Sequence, residues 1–143
     1  EGINSRMDGL QAAILNVKLK KIDKYNSLRK EKAKIYNKLL LGVGDIVLPK
    51  IAKDRDHVFH LFVIRTKKRN SLKKYLASKG IPTAVHYPKC LPLLPAYKNL
   101  KIKPDKIKNS YANQKEILSL PIYPEMEQKK IEYICKEIKK FFL

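Results

Sequence analysis

Polar groups that could do chemistry gather at two places in a chain otherwise dominated by apolar residues and lysine. The first is Gly2-Ile3-Asn4-Ser5-Arg6, directly ahead of a helical pattern. Gly2 permits an unusual backbone, and Asn4, Ser5 and Arg6 bring an amide, a hydroxyl and a guanidinium to a helix start, where anions are favoured. An ordinary helix cap would use the same residue types. The second is His86-Tyr87-Pro88, at the end of a predicted strand and the mouth of a proline-rich loop, a common position for ligand-contacting residues. A histidine at the core edge followed by a turn is the plainer account of it. His57 and His60 stand three apart on a predicted strand, so they face opposite sides and cannot chelate one metal. His60 is expected to be packed and His57 to sit at the strand end. Cys90 and Cys135 lie 45 residues apart, too far for a CxxC pair. No cluster has zinc spacing, and no phosphate loop, dinucleotide fingerprint, nucleophile elbow or paired acid cluster is present. The chain therefore holds no catalytic set of its own.

The elements that must carry these places follow from periodicity. Leu10, Ile14, Val17, Ile22, Tyr25, Leu28, Ile35, Tyr36, Leu39 and Leu40 recur mostly at three- and four-residue spacings, which predicts one long helix over 8–41. Asp8 or Ser5 can cap its start, and Gly42 and Gly44 end it. Such a helix would be about 50 Å long at ~1.5 Å per residue, longer than a domain of this size is wide. Part of its apolar face is thus expected to pack on something outside this chain. The spacing drifts too far from a heptad for a coiled-coil arm. Residues 45–49 read as an edge strand ended by proline. Residues 57–66 (HVFHLFVIRT) read as a central strand covered on both faces. A helix over 71–79 is stopped by Gly80, and 83–86 form a second strand. Residues 87–100 carry Pro88, Pro92 and Pro95 among apolar residues and read as a packed loop. A helix over 106–117, an extended stretch over 118–123 and a strongly amphipathic closing helix through Ile131, Ile134, Cys135, Ile138, Phe141 and Phe142 complete the chain.

With 143 residues and 44% hydrophobic content the chain can build a core, which argues against global disorder. No apolar run reaches the ~18 residues of a membrane span. The formal net charge of +19 invites a nucleic-acid partner. Its make-up weakens that reading: Arg6, Arg29, Arg55, Arg65 and Arg69 are the only arginines among 32 cations. Lysine is a hydrated point charge, whereas arginine is the usual reader of phosphate forks and guanine edges. A basic nucleic-acid-binding module remains the alternative from a different class. Two unpaired thiols, Cys135 buried on a helix, suit a cytoplasmic protein. The chain opens on Glu1 without an initiator Met or a signal-peptide pattern and is expected to be a piece of a longer protein.

At the two chemical places the sequence resembles the DegT/DnrJ/StrS aminotransferases, pyridoxal-phosphate (PLP) enzymes acting on nucleotide-linked sugars. The resemblance lies in Asn4-Ser5-Arg6-Met7-Asp8 followed by Leu10-Gln11-Ala12-Ala13-Ile14-Leu15. It continues through His57-Val58-Phe59-His60-Leu61-Phe62-Val63, Gly80-Ile81-Pro82-Thr83, His86-Tyr87-Pro88, Leu93-Leu94-Pro95-Ala96-Tyr97 and Leu118-Ser119-Leu120-Pro121-Ile122-Tyr123-Pro124. Two positions depart from the family's habit. Gly9 stands where Glu is frequent, which is expected to loosen the first helical turn. Glu127 stands where Thr often caps the closing helix.

The resemblance implies an α/β (α+β) fold. A cofactor-site loop and a long interdomain helix occupy 1–42. A small mixed or antiparallel sheet covered by helices occupies 43–143, as in the C-terminal small domain of a fold-type I, aspartate aminotransferase-like PLP enzyme. It implies a cytoplasmic homodimer with shared active sites, an amino donor (glutamate in most of the family) and a keto-sugar nucleotide as acceptor, in amino-sugar or surface-polysaccharide biosynthesis. The Schiff-base lysine lies upstream in the family, and none of the lysines here sits in a matching motif, so no catalytic residue is assigned. Asn4 matches a residue that reaches the cofactor phosphate of the partner subunit, with Ser5 and Arg6 bordering the same site. His86 matches a histidine on the substrate side, near the sugar nucleotide's diphosphate, with Tyr87 beside it. A PMP-dependent sugar dehydratase of the same family is the alternative, decided by that upstream residue.

Overall fold

A computed structural model describes residues 5–143. The element order is α1 (Gly9–Leu19), α2 (Ile22–Leu40), β1 (Phe62–Arg65), α3 (Arg69–Ser78), three short 3-10 turns between Leu91 and Ile107, α4 (Lys108–Glu116), β2 (Ile117–Leu120) and α5 (Gln128–Phe142). This is the expected small antiparallel sheet with helices laid against it.

The sheet is shorter than the sequence suggests. β1 and β2 pair antiparallel, with Phe62 opposite Leu120 and Ile64 opposite Leu118. Beyond them, Val47 bridges Arg65 on one side and Ala84 bridges Ser119 on the other. The predicted strands over 45–49 and 83–86 thus contribute single bridges at the two edges of the sheet. Pro49 and Pro82 lack the amide needed to extend either pairing. The central strand is cut as well. Phe59 has φ of 51°. That left-handed turn breaks the alternation and sends Phe59 into the core, while His60 is exposed. The expected packed His60 is therefore corrected. His57 lies in the irregular approach to β1, where its Nδ1 accepts the Phe59 amide at 2.9 Å.

The core lies on one face of the sheet. Phe62, Ile64, Leu118 and Leu120 meet Ala33, Tyr36 and Leu40 of α2, Leu72 and Leu76 of α3, and Ile131, Ile134, Cys135 and Ile138 of α5. α3 ends as predicted. Gly80, with φ of 71°, donates to the Ala77 carbonyl at 3.0 Å and Ile81 to that of Leu76 at 2.9 Å. This Schellman closure also brings Leu76 and Ile81 together in the core. Beneath the core, the Glu137 carboxylate is buried but bonded to the Tyr75 hydroxyl and the Lys140 ammonium.

The single long helix is not observed. The ladder is interrupted at Lys20 and Lys21, where Lys21 has ψ of 0° and its amide turns back to the Lys18 carbonyl. Lys18, Lys20, Lys21 and Lys24 stack at i,i+3 and i,i+4 spacings. Each such like-charge pair works against the helix by about 0.2–0.5 kcal/mol. The two helices also have different surroundings. α2 contributes Ala33, Tyr36 and Leu40 to the core, whereas α1 buries no residue.

Candidate functional site

Ser5 and Arg6 lead into α1, and both are exposed. They line a shallow cleft with Met7, Gln11, Ile14, Leu15 and Lys18. Asn4 lies outside the described residues. Of the two possible caps, Asp8 takes the position: its Oδ1 accepts the Gln11 amide at 2.7 Å and its carbonyl the Ala12 amide at 3.0 Å. The first turn is closed in this way despite Gly9. A carboxylate already answers the positive end of the helix, so an anion here must be held by side chains instead. The Ser5 hydroxyl, the Arg6 guanidinium and the Lys18 ammonium form a donor set that suits a phosphate. The residues present therefore fit the phosphate end of PLP.

Continuing from that cleft, one face of α1 presents Leu10, Ile14 and Val17 at 53–74% exposure. Nothing among the described residues buries this face. Among the described residues no helix is long and apolar enough to cross a membrane.

The second place is built on the face of the sheet opposite the core. Side chains of neighbouring strands that stand directly opposite share a face. Val63 is opposite Ser119, which in turn is opposite Ala84. His86, two residues on from Ala84, falls on that same face. Its Nδ1 lies 2.9 Å from the Ser119 hydroxyl. The Tyr87 ring meets the His86 ring edge-on, at 5.6 Å and 89°, and is itself 70% exposed. Tyr87 opens a cleft lined by Lys89, Cys90, Pro92, Ser110, Asn113 and Gln114. The floor of this cleft is held by α4: Gln114 accepts the Cys90 amide at 2.9 Å, and Asn113 accepts from Arg65 at 2.8 Å. This face can therefore present an imidazole, a phenol and a lysine to a polar ligand.

The two clefts share no lining residue: Ser5 and Arg6 line one, Tyr87 lines the other, and His86 lines neither. Ser119 escapes a reading by sequence. Its only signal is a hydroxyl inside the apolar run of β2, and its meaning depends on Ala84 pairing beside it. Among the described residues no group of three or more His, Cys, Asp or Glu side chains could hold a metal ion. Cys90 and Cys135 are free thiols. Burial pushes the Cys135 thiol up to about 12, which leaves it inert at neutral pH.

Comparison with known proteins identifies relatives of the whole chain. The sequence pattern of the DegT/DnrJ/EryC1/StrS aminotransferase family matches residues 1–139. A pleiotropic regulatory protein of Geobacillus stearothermophilus is 40% identical over 143 residues, which are 99% of this chain and 38% of that protein. A dTDP-3-amino-3,4,6-trideoxy-alpha-D-glucose transaminase of Streptomyces venezuelae is 38% identical over 128 residues, covering 90% of this chain and 34% of the relative. Among solved structures, that of DesV from S. venezuelae superimposes with a TM-score of 0.89 at 35% identity, covering 99% of this chain and 38% of the other. The chain thus spans little more than a third of the length of the relatives it matches.

Proposed function

As the chain belongs to the DegT/DnrJ/EryC1/StrS aminotransferase family, we propose that it is the C-terminal part of a PLP-dependent enzyme. In this reading the enzyme moves an amino group from glutamate to a keto-sugar carried on a nucleotide, in amino-sugar or surface-polysaccharide biosynthesis, and works as a cytoplasmic homodimer. The observation that carries the reading is the match along 1–139, together with a relative named for amination of a dTDP-linked sugar. Residues 1–42 serve as cofactor-site loop and interdomain helix, and 43–143 as the small domain, with the second half of α2 built into its core.

Each part of the chain then has a task. Asn4, Ser5 and Arg6 hold the cofactor phosphate, Arg6 by a charge-assisted fork and Ser5 by its hydroxyl. The exposed apolar stripe of α1 is covered by the rest of the enzyme or by the second subunit, which fixes those donors in place. His86 and Tyr87 meet the sugar nucleotide at the edge of the small domain, the imidazole as hydrogen-bond donor and the phenol as an apolar wall with a polar tip. PLP, when bound, supplies the electron sink for amino transfer. The lysine that anchors it is contributed by a segment upstream of Glu1. No lysine of this chain takes that role.

The full-length enzyme, given glutamate and a panel of nucleotide-linked keto-sugars, should yield amino sugars detectable by mass spectrometry. Failure to aminate any member of the panel while PLP is bound sinks the substrate class. Borohydride trapping followed by peptide mapping should label a lysine outside this chain. A label on any lysine of residues 1–143 overturns the placement.

A further inference from the structure

We propose that Ser119 is a positioning residue: its hydroxyl donates to Nδ1 of His86 and so holds the imidazole in the tautomer that carries its proton on Nε2. The ring is thereby presented as a ready donor to an oxygen of the bound sugar nucleotide. The identity of that ligand rests on the proposed function; the tautomer does not.

The backbone of Ser119 is tied down first. Its amide donates to the Ala84 carbonyl at 2.8 Å, and its carbonyl accepts the Ala84 amide at 3.2 Å. With both groups turned toward Ala84, Ser119 cannot slide without breaking the edge of the sheet. Its side chain is nearly sealed, the residue being 5% exposed. A hydroxyl has one hydrogen to give, and a buried donor left without an acceptor is costly. Among the described residues the hydrogen-bond partner of the Ser119 hydroxyl is Nδ1 of His86, at 2.9 Å. The hydroxyl therefore donates. A neutral imidazole accepting at Nδ1 carries its hydrogen on Nε2. The Tyr87 ring stands edge-on to the imidazole.

A donor at Nε2 selects for an acceptor. Phosphate and sugar oxygens meet that requirement without any change in charge of the ring. Were the hydroxyl absent, the ring would be free to place its proton on either nitrogen and to swing. An Nε2 that carries its proton only part of the time, on a ring that is no longer held, is a poorer donor on both counts.

The test uses the full-length enzyme with Ser119→Ala, His86→Ala and the double variant. In 15N NMR the wild-type His86 should show a pyridine-like Nδ1 and a pyrrole-like Nε2, and Ser119→Ala should mix the two. In kinetics, Ser119→Ala should raise KM for the keto-sugar nucleotide roughly tenfold with kcat within about twofold, the effect of losing one well-placed hydrogen bond. In the His86→Ala background the same substitution should have no further effect, because Ser119 acts through the ring. A protonated Nδ1 in the wild type, or a Ser119→Ala penalty that persists without His86, overturns the proposal. A wild-type enzyme with the expected tautomer but no turnover of any keto-sugar nucleotide refutes the proposed substrate and supports the tautomer assignment.

Discussion

Replacing Tyr36 by Phe isolates one hydrogen bond that ties helix α2 to the strand carrying Ser119. Tyr36 is fully buried, its ring stacks on Phe62 at 4.8 Å, and its hydroxyl donates to the Pro121 carbonyl at 2.8 Å. Phe keeps the ring and the stack but leaves that carbonyl unpaired. The loss of such a bond costs about 1–2 kcal/mol. Unfolding entropy of about 2.1 cal/mol/K per residue gives the chain roughly 0.3 kcal/mol per degree, so Tm should fall by about 3–7 °C. Tyr36→Ala also removes the ring from a closed core and should cost about 3–5 kcal/mol. Thermal and urea melts of wild type and the two variants decide the matter. A Phe variant within about 1 °C of wild type, or one as damaged as the Ala variant, would refute the reasoning. In the first case the bond contributes nothing; in the second the ring does not pack as described.

Other expected outcomes follow from single observations. Gly44 has φ of 53°, and a methyl there would fall on the Phe142 ring, so Gly44→Ala should destabilise by about 1–3 kcal/mol in a urea melt. Cys90 is half-buried and Cys135 buried with its thiol pushed up to about 12, so a thiol reagent should label Cys90 in the native protein and Cys135 only after unfolding. Burial works to raise the Asp45 carboxyl, but hydrogen bonds from the Thr66 hydroxyl and the Lys67 amide outweigh it and leave it below the usual range. Glu137 is also lowered, chiefly by its bond from Lys140. Both groups bind fewer protons folded than unfolded. Their contribution is complete above pH of about 4–5 and is lost as acid titrates the folded values. Asp45→Asn should therefore flatten the acid limb of the stability curve. Asn4→Ala in the full-length enzyme should weaken PLP binding, and an unchanged absorbance titration would remove Asn4 from the phosphate site.

Local chemistry was readable where it needed only near neighbours. Gly80 ends α3 because a left-handed residue is wanted one place past the helix, and α5 declared itself by the spacing of Ile131, Ile134, Cys135 and Ile138. The lengths of strands were not readable in that way. Residues 57–60 have the composition of a strand, yet the turn at Phe59 takes them out of the ladder, because burying that ring outweighs continued pairing for His57 and His60. The break at Lys20 and Lys21 was equally hidden, since apolar periodicity runs through it and the same lysine spacing recurs inside the unbroken α2.

The candidate site divides along the same line. Residue type and order alone identified Asn4, Ser5, Arg6, His86 and Tyr87 as the polar groups worth testing, because donors ahead of a helix and a histidine at a strand end are recognisable from short-range pattern. The apolar residues of α1 could also be read in advance, but the break that separates α1 from α2 could not. Only the tertiary structure decided that Asp8, and not Ser5, fills the helix cap. It alone brought Ser119, 33 residues away in sequence, onto the imidazole of His86. Such a contact depends on which strand edges pair and in what register, and register is settled by how the whole set of apolar side chains packs on the other face of the sheet.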